Sequence, residues 1–175
     1  MNKFTSGRIA KFIAAAGVCS RRQAEEMILQ GRVRIDGKTI NTPVISVTPE
    51  NVVEVDGKVI SEAEQTRLWL YYKPVGLITT HKDPHNRPTV FGALKPYLPR
   101  VISIGRLDLN SEGLLLLTNS GTLVKELESP RNNIDRVYKV RAHGKISSLI
   151  TYIAQNKSHP LTIDNIIYKP KSIRL

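Results

Sequence analysis

A polar segment bounded by two glycines and flanked by two apolar stretches most restricts how this chain can fold. Residues 101–104 and 114–117 are short and apolar, which predicts two strands, the second of them buried. Residues 105–113 between them include Arg, Asp, Asn, Ser and Glu. Since glycine permits tight turns, this pattern predicts a strand, a loop and a second strand.

The loop presents an aspartate, Asp108, close in sequence to Arg106. A neighbouring arginine favours an ionised carboxylate, and the glycines allow a substrate to approach closely, so Asp108 is a candidate nucleophile. Loop aspartates also commonly cap turns. Residue types alone leave both interpretations open.

The first 60 residues predict two helices followed by a hairpin. Apolar residues recur with helical spacing over residues 9–16, and Ser20 to Gln23 has the pattern of a capping box at the start of a second helix. Residues 32–40 alternate around the turn Asp36-Gly37, which is typical of a hairpin.

A second hairpin is predicted over residues 53–60, and we interpret its Asp-Gly turn as independent of the first rather than as a repeat. The polar stretch 61–67 is the best linker candidate, which predicts domains over residues 1–62 and 63–175. The mixture of strands and helices without strict βαβ order favours an α+β fold.

In the second domain we expect a buried strand over residues 68–72, a polar loop over 81–88 and a helix from the turn 119–121 to about Glu128. A strand over residues 137–142 follows. A helix around Ile146, Leu149, Ile150 and Ile153 and two strand-like segments complete the expected order.

The net charge of +11, from 26 basic and 15 acidic residues, favours a polyanionic partner, with nucleic acid the first candidate. A single cysteine, Cys19, cannot form an internal disulfide, which favours a cytoplasmic location. No stretch approaches the length of a transmembrane helix, so no membrane partner is expected.

Three segments together resemble the RNA pseudouridine synthases, in the branch named for the small- and large-subunit ribosomal enzymes. The segment 105–121 is similar to the family's G-R-L-D-x-x-(S/T)-E-G-L-L-L-L-T-N-x-G motif. Residues 72–76 resemble its K-P-x-G segment, and residues 135–140 resemble its K-x-Y-x-V strand, with Arg136 in place of the usual lysine.

The resemblance implies that a uridine in ribosomal RNA is flipped out of its stack and isomerised to pseudouridine without a cofactor. Asp108 would be the catalytic nucleophile, attacking either the ribose or the uracil ring. Tyr138 would stack on the flipped base and could assist proton removal, although a strand tyrosine can also simply pack in the core. Arg106 would fill the vacated space or hold a flanking phosphate.

Residues 7–60 resemble the S4 domain, a small RNA-binding module. This resemblance implies phosphate contacts by exposed basic side chains, although charges on small helices are often only solvated. The candidate RNA-binding residues are Arg8, Lys11, Arg21, Arg22, Arg32 and Arg34.

Two histidines, His81 and His85, lie in the polar loop, where the few available ligands make RNA contact a better expectation than a metal site. The D-P-x-x-R-P-T-V-F pattern of residues 83–91 resembles the large-subunit enzymes, which implies 23S ribosomal RNA as the target. A monomer is expected.

The family has a further basic segment, E-G-K-x-x-x-(I/V)-R-R, which is not found up to residue 175. The resemblance therefore implies a C-terminally incomplete catalytic domain and weak or absent activity of this form. A non-catalytic RNA-binding remnant is the alternative function. A ribosomal protein would share the charge and the S4-like part, but would not explain the surroundings of Asp108.

Overall fold

The computed structural model describes residues 6–61, 65–141, 143–144, 146–155, 161–163, 165–168 and 172. The chain forms two compact units, Met1–Ile134 and Asp135–Leu175. Helices and antiparallel sheets occur together, so the predicted α+β class is confirmed. None of the described helices has the length and apolar character that crossing a bilayer requires.

The first unit contains the predicted order of helix, helix and hairpin, preceded by a two-residue strand. Its elements are β1 (Gly7–Arg8), α1 (Ile9–Ala15), α2 (Arg21–Leu29), β2 (Val33–Ile35), β3 (Lys38–Ile40), β4 (Ser46–Val47), β5 (Val53–Val55) and β6 (Lys58–Val59). The predicted capping box is confirmed: Ser20 Oγ accepts from Gln23 N at 3.2 Å, and Ser20 N donates to Gln23 Oε1 at 3.0 Å.

The two hairpins join into one antiparallel sheet of order β3-β2-β5-β6. Asp36 and Asp56 have φ of 50° and 51°, and the glycine after each also has a positive φ, as a tight hairpin turn of this kind requires. Apolar side chains of α1 and α2 and of the sheet form one core, which includes Ile9, Ile13, Ala24, Ile28, Val33 and Val53.

The rest of the first unit is built on a three-stranded antiparallel sheet of order β7-β9-β8. Its elements are β7 (Leu68–Lys73), α3 (Val90–Leu94), β8 (Ile102–Ile104), β9 (Gly113–Thr118), α4 (Gly121–Glu128) and a 3-10 turn (Pro130–Asn132). In the register of the central strand, Lys73 lies opposite Gly113. The loop from β8 to β9 therefore leaves the sheet beside the last residue of β7.

Residues 68–72 lie in a strand as predicted, but the prediction that this strand is buried is wrong. Leu68, Leu70 and Tyr72 are 50%, 75% and 65% exposed, whereas Trp69 and Tyr71 pack against the core of Val90, Val101, Leu115 and Leu117. Leu114 on β9 is likewise exposed. Side chains alternate along a strand, so one face of this sheet is packed and part of the other is open.

A strand was also predicted over residues 137–142, and for residues 137–141 this prediction is wrong because residues 135–141 are not in a strand. Residue 142 lies outside the described residues. A strand exists only when its backbone pairs with a neighbour. Residues 135–141 have no strand partner in the described chain, and Val137 and Val140 are 95% and 82% exposed.

The second unit confirms the later predictions. Helix α5 spans Ile146–Gln155, and β10 (Leu161–Ile163) pairs with β11 (Ile166–Tyr168) in an antiparallel hairpin. Four described elements were not predicted: the two-residue strands β1 and β4, the 3-10 turn and the short helix α3, whose N-cap Thr89 accepts from Gly92 N at 3.0 Å.

Candidate functional site

The loop that carries Asp108 comprises residues 105–112 and connects β8 to β9. It begins at Gly105, whose φ of 74° turns the chain away from β8. The Gly105 N–H donates to Glu128 Oε1 at 2.6 Å, so the last residue of α4 contacts the first residue of the loop.

The ammonium group of Lys73 holds the middle and end of this loop. Lys73 is fully buried, and its Nζ donates to the carbonyl oxygens of Pro74, Asp108 and Ser111 at 3.0, 2.9 and 2.7 Å. An ammonium has three donors, and each of them is satisfied. A buried charge is tolerated only when it is well hydrogen-bonded, and here backbone carbonyls supply the bonds.

Further contacts fix the loop backbone next to Asp108. Thr79 Oγ1 donates to the Leu107 carbonyl at 2.8 Å and accepts from Leu107 N at 3.3 Å, and Gly76 N donates to the Leu109 carbonyl at 2.8 Å. The segment from Lys73 to Thr79 thus binds the residues on both sides of Asp108. The structure brings together two of the three segments that carried the resemblance.

Asp108 itself has an exposed side chain, as does Arg106. Within the described parts of the chain, no ion pair shorter than 4.0 Å joins Asp108 to Arg106 or to any other basic side chain. The loop therefore offers a solvent-accessible carboxylate on a fixed backbone, with an exposed guanidinium two residues away.

A second carboxylate lies at the end of the loop. Glu112 is close enough to the phenol of Tyr72 to raise the pKa of that tyrosine, chiefly through its negative charge. Both side chains are exposed. Sequence reasoning assigned neither residue a role, because the antiparallel register that places Tyr72 near the loop is a tertiary feature.

The polar loop that follows β7 is organised by Asp83. Its side chain is only 4% exposed and forms a salt bridge with Arg87 at 2.8 Å, and it also accepts from the backbone N–H groups of His85 and Arg87. These bonds, led by that from the Arg87 side chain, lower the pKa of Asp83 far below its usual value.

His81 in the same loop is stacked on Phe91, with ring centroids 3.6 Å apart and an angle of 11° between the planes. Partial burial lowers the pKa of His81, and the positive charge of Arg100 adds to this effect. Among the described residues, no cluster of three or more His, Cys, Asp or Glu side chains is placed to share a metal ion.

The basic residues expected to contact RNA in the N-terminal part are all exposed; they are Arg8, Lys11, Arg21, Arg22, Arg32 and Arg34. Arg32 differs from the other five because its guanidinium binds both carboxylate oxygens of Asp56, at 2.8 and 2.7 Å. Tyr138, which is predicted to stack on the flipped uracil, belongs to the second unit and is 69% exposed there.

The chain matches two protein families: RNA pseudouridylate synthase over residues 67–173 and the S4 domain over residues 7–53. A Rickettsia felis protein named an uncharacterized RNA pseudouridine synthase is 57% identical over 168 residues, which is 96% of this chain and 71% of that relative. The ribosomal large subunit pseudouridine synthase B of Bacillus subtilis is 40% identical over 137 residues, 78% of this chain and 56% of the relative.

Among solved structures, one titled a crystal structure of pseudouridylate synthase is 26% identical, with a TM-score of 0.37. The match covers 71% of this chain and 54% of the chain in that structure. The range matched by the RNA pseudouridylate synthase family, residues 67–173, includes both motif-bearing segments that meet around Asp108. The chain belongs to the RNA pseudouridylate synthase family and carries an S4 domain ahead of the catalytic region.

Proposed function

We propose that this protein isomerises a uridine of 23S ribosomal RNA to pseudouridine, with Asp108 as the nucleophile. The observation that supports this proposal most directly is the loop geometry. Asp108 presents an exposed carboxylate, while the adjacent backbone is held by the buried Lys73 and by Thr79. Placing a reacting group accurately is a large part of what an enzyme contributes.

The reaction breaks the bond between uracil N1 and ribose C1′ and forms a bond between C5 and C1′. The proton on C5 is lost and N1 gains one, so atoms balance without a redox partner or cofactor. A carboxylate can assist by adding to C1′ or to the uracil ring and leaving again. Both routes require the uridine to be flipped out of its stack so that Asp108 can reach it.

Two further residues have proposed roles at the base. The ring of Tyr138 would stack on the flipped uracil, since aromatic faces hold unstacked bases. Arg106, exposed and two residues from Asp108, would occupy the space that the uridine leaves or bind a neighbouring phosphate.

The RNA is held in this proposal by the exposed arginines and lysine of the S4 domain, which contact phosphates without reading bases. Two observations favour the large-subunit RNA. Relatives in Bacillus subtilis and Yersinia pestis carry the name ribosomal large subunit pseudouridine synthase B, and the ordered loop at Asp83 carries the D-P-x-x-R-P pattern.

The test is pseudouridine formation by the purified chain on 23S and 16S ribosomal RNA transcripts. We expect product in the 23S RNA, even if at low yield, its loss in Asp108→Asn, and its retention at the same yield in Glu112→Gln, which neutralises the other acidic residue of the loop. Product in the Asn variant would exclude Asp108 as nucleophile. Product in 16S RNA alone would overturn the target, and RNA binding without product would favour the non-catalytic alternative.

A further inference from the structure

The Asp108 loop is fastened at both ends by side chains that lie outside it. Lys73, the last residue of β7, binds the carbonyls of Asp108 and Ser111, and Glu128, the last residue of α4, binds the N–H of Gly105. Glu128 contacts the first residue of the loop, and Lys73 contacts its middle and its next-to-last residue. Neither side chain belongs to the loop that it holds.

Lys73 performs a task that an apolar side chain of similar size could not. A buried charge seldom stabilises a fold more than a well-packed apolar group does, so packing alone does not account for an ammonium here. Its three hydrogen bonds fix the directions of three carbonyls, one of them that of Asp108. Fixing that carbonyl restricts the backbone angles from which the Asp108 side chain extends.

Glu128 is placed where helix stability does not explain it. A negative charge at the C-terminal end of a helix opposes the helix dipole, so α4 gains nothing from this residue by itself. Its carboxylate instead accepts from Gly105 N at 2.6 Å, at the point where a positive φ turns the chain out of β8. Hydrogen bonds to a charged acceptor are stronger than those to a neutral one.

We propose that Lys73 and Glu128 are positioning residues that together orient the Asp108 carboxylate for attack on the uridine. The proposal rests on the proposed function of Asp108. Lys73 is enclosed by protein and acts through the loop backbone, and Glu128 acts through the start of the same loop. Their removal is expected to slow the chemical step while leaving RNA binding largely intact.

The Lys73→Met variant removes the three donors and keeps an unbranched side chain. We expect kcat to fall by roughly 100-fold with little change in KM, because small displacements of a reacting group have effects of this size. Hydrogen exchange of the amides in residues 105–112 should become faster, since the bonds from Lys73 no longer restrain the loop. A folded variant with unchanged loop exchange and unchanged kcat would overturn the role of Lys73.

The Glu128 variants remain informative even where Lys73→Met does not fold, because Glu128 is exposed. Glu128→Leu should lower kcat by roughly tenfold, speed exchange of the Gly105 amide and lower the unfolding midpoint by no more than the loss of one exposed hydrogen bond. Glu128→Gln keeps a neutral acceptor and should lie between this variant and wild type. Glu126→Leu, an exposed glutamate on the same helix, is the matched control and should behave as wild type.

The two readouts separate this proposal from the proposed function. Exchange of the loop amides is measured without turnover, so it decides whether the two side chains hold the loop even if the unmodified chain forms no pseudouridine. Absence of product in wild type would contradict the proposed function. Wild-type exchange and wild-type kcat in both Lys73→Met and Glu128→Leu would overturn the positioning roles.

Discussion

At the scale of single residues, the ionisable groups around the candidate site are held mostly by backbone atoms and by near neighbours in sequence. Lys73 binds three carbonyls, and Asp83 binds two backbone N–H groups together with Arg87 four residues later. Both arrangements order a loop. The candidate site thus has two exposed carboxylates in one loop, Asp108 and Glu112, and the backbone beside Asp108 is held by groups whose hydrogen bonds are already satisfied.

The lowered pKa of Asp83 predicts how the stability of the loop depends on pH. Its stabilising effect is fully present above the unfolded pKa, about 4 for an aspartate, and is lost as the pH falls toward the lower folded pKa. We expect Asp83→Asn to lower the unfolding midpoint at pH 7, with the difference from wild type shrinking below about pH 4. Thermal unfolding of both proteins between pH 7 and pH 3 measures the two midpoints. A difference between them that stays constant with pH would exclude the ionised form of Asp83 as the cause.

Tyr138 gives a second prediction at this scale. If its ring stacks on the flipped base, Tyr138→Phe should retain RNA binding and lose only a contribution of the hydroxyl to proton transfer, whereas Tyr138→Ala should lose both. Binding and single-turnover rates on a ribosomal RNA fragment distinguish these effects. Equal activity of the Phe and Ala variants would count against stacking.

At the scale of elements, local sequence signals and tertiary packing contribute to different features. Helix α2 begins where its capping box indicated, and both Asp-Gly turns form with positive φ at the aspartate. Burial, by contrast, depends on which face of an element meets a neighbour. The apolar residues of β7 alternate between a packed and an open face, which a continuous apolar run in the sequence did not indicate.

The capping box of α2 can be tested by Ser20→Ala. The change removes the acceptor for Gln23 N and should destabilise the protein by about 1 kcal/mol, a typical value for an N-cap serine. Urea unfolding measures the free energy of unfolding. Ser61→Ala is the control, because this exposed serine makes no side-chain hydrogen bond with the described residues. An equal effect of the two changes would contradict the capping role.

At the scale of the whole molecule, positive charge and RNA binding are linked. The chain has a net charge of +11, and its S4 domain exposes basic side chains on α1, α2 and β2. The boundary predicted between residues 62 and 63 falls on residues outside the described part and stays a prediction. The two hydrophobic clusters, one formed by residues 9–55 and the other by residues 90–117, belong to separate groups of elements.

The phosphate contacts proposed for the S4 domain predict a change in salt dependence. Replacing Arg21, Arg22 and Arg34 together with Ala should weaken binding and reduce the slope of log K against log salt by up to about three, because each phosphate that is no longer bound lowers the slope by about one. Binding titrations at several salt concentrations measure the slope. The triple Lys variant keeps the charges and should keep the slope, and an unchanged slope in the Ala variant would exclude these contacts.

The local structure of this protein and its family could be predicted from the amino-acid sequence alone. Helix periodicity, the capping box at Ser20 and the turn at Asp36-Gly37 act over a few residues, so they can be recognised without a fold. The positions of Lys73 under the Asp108 loop and of Glu128 beside Gly105 emerged from the folded chain, because these contacts join residues 35 and 23 positions apart. Such pairings depend on strand register and helix packing, which no local pattern specifies.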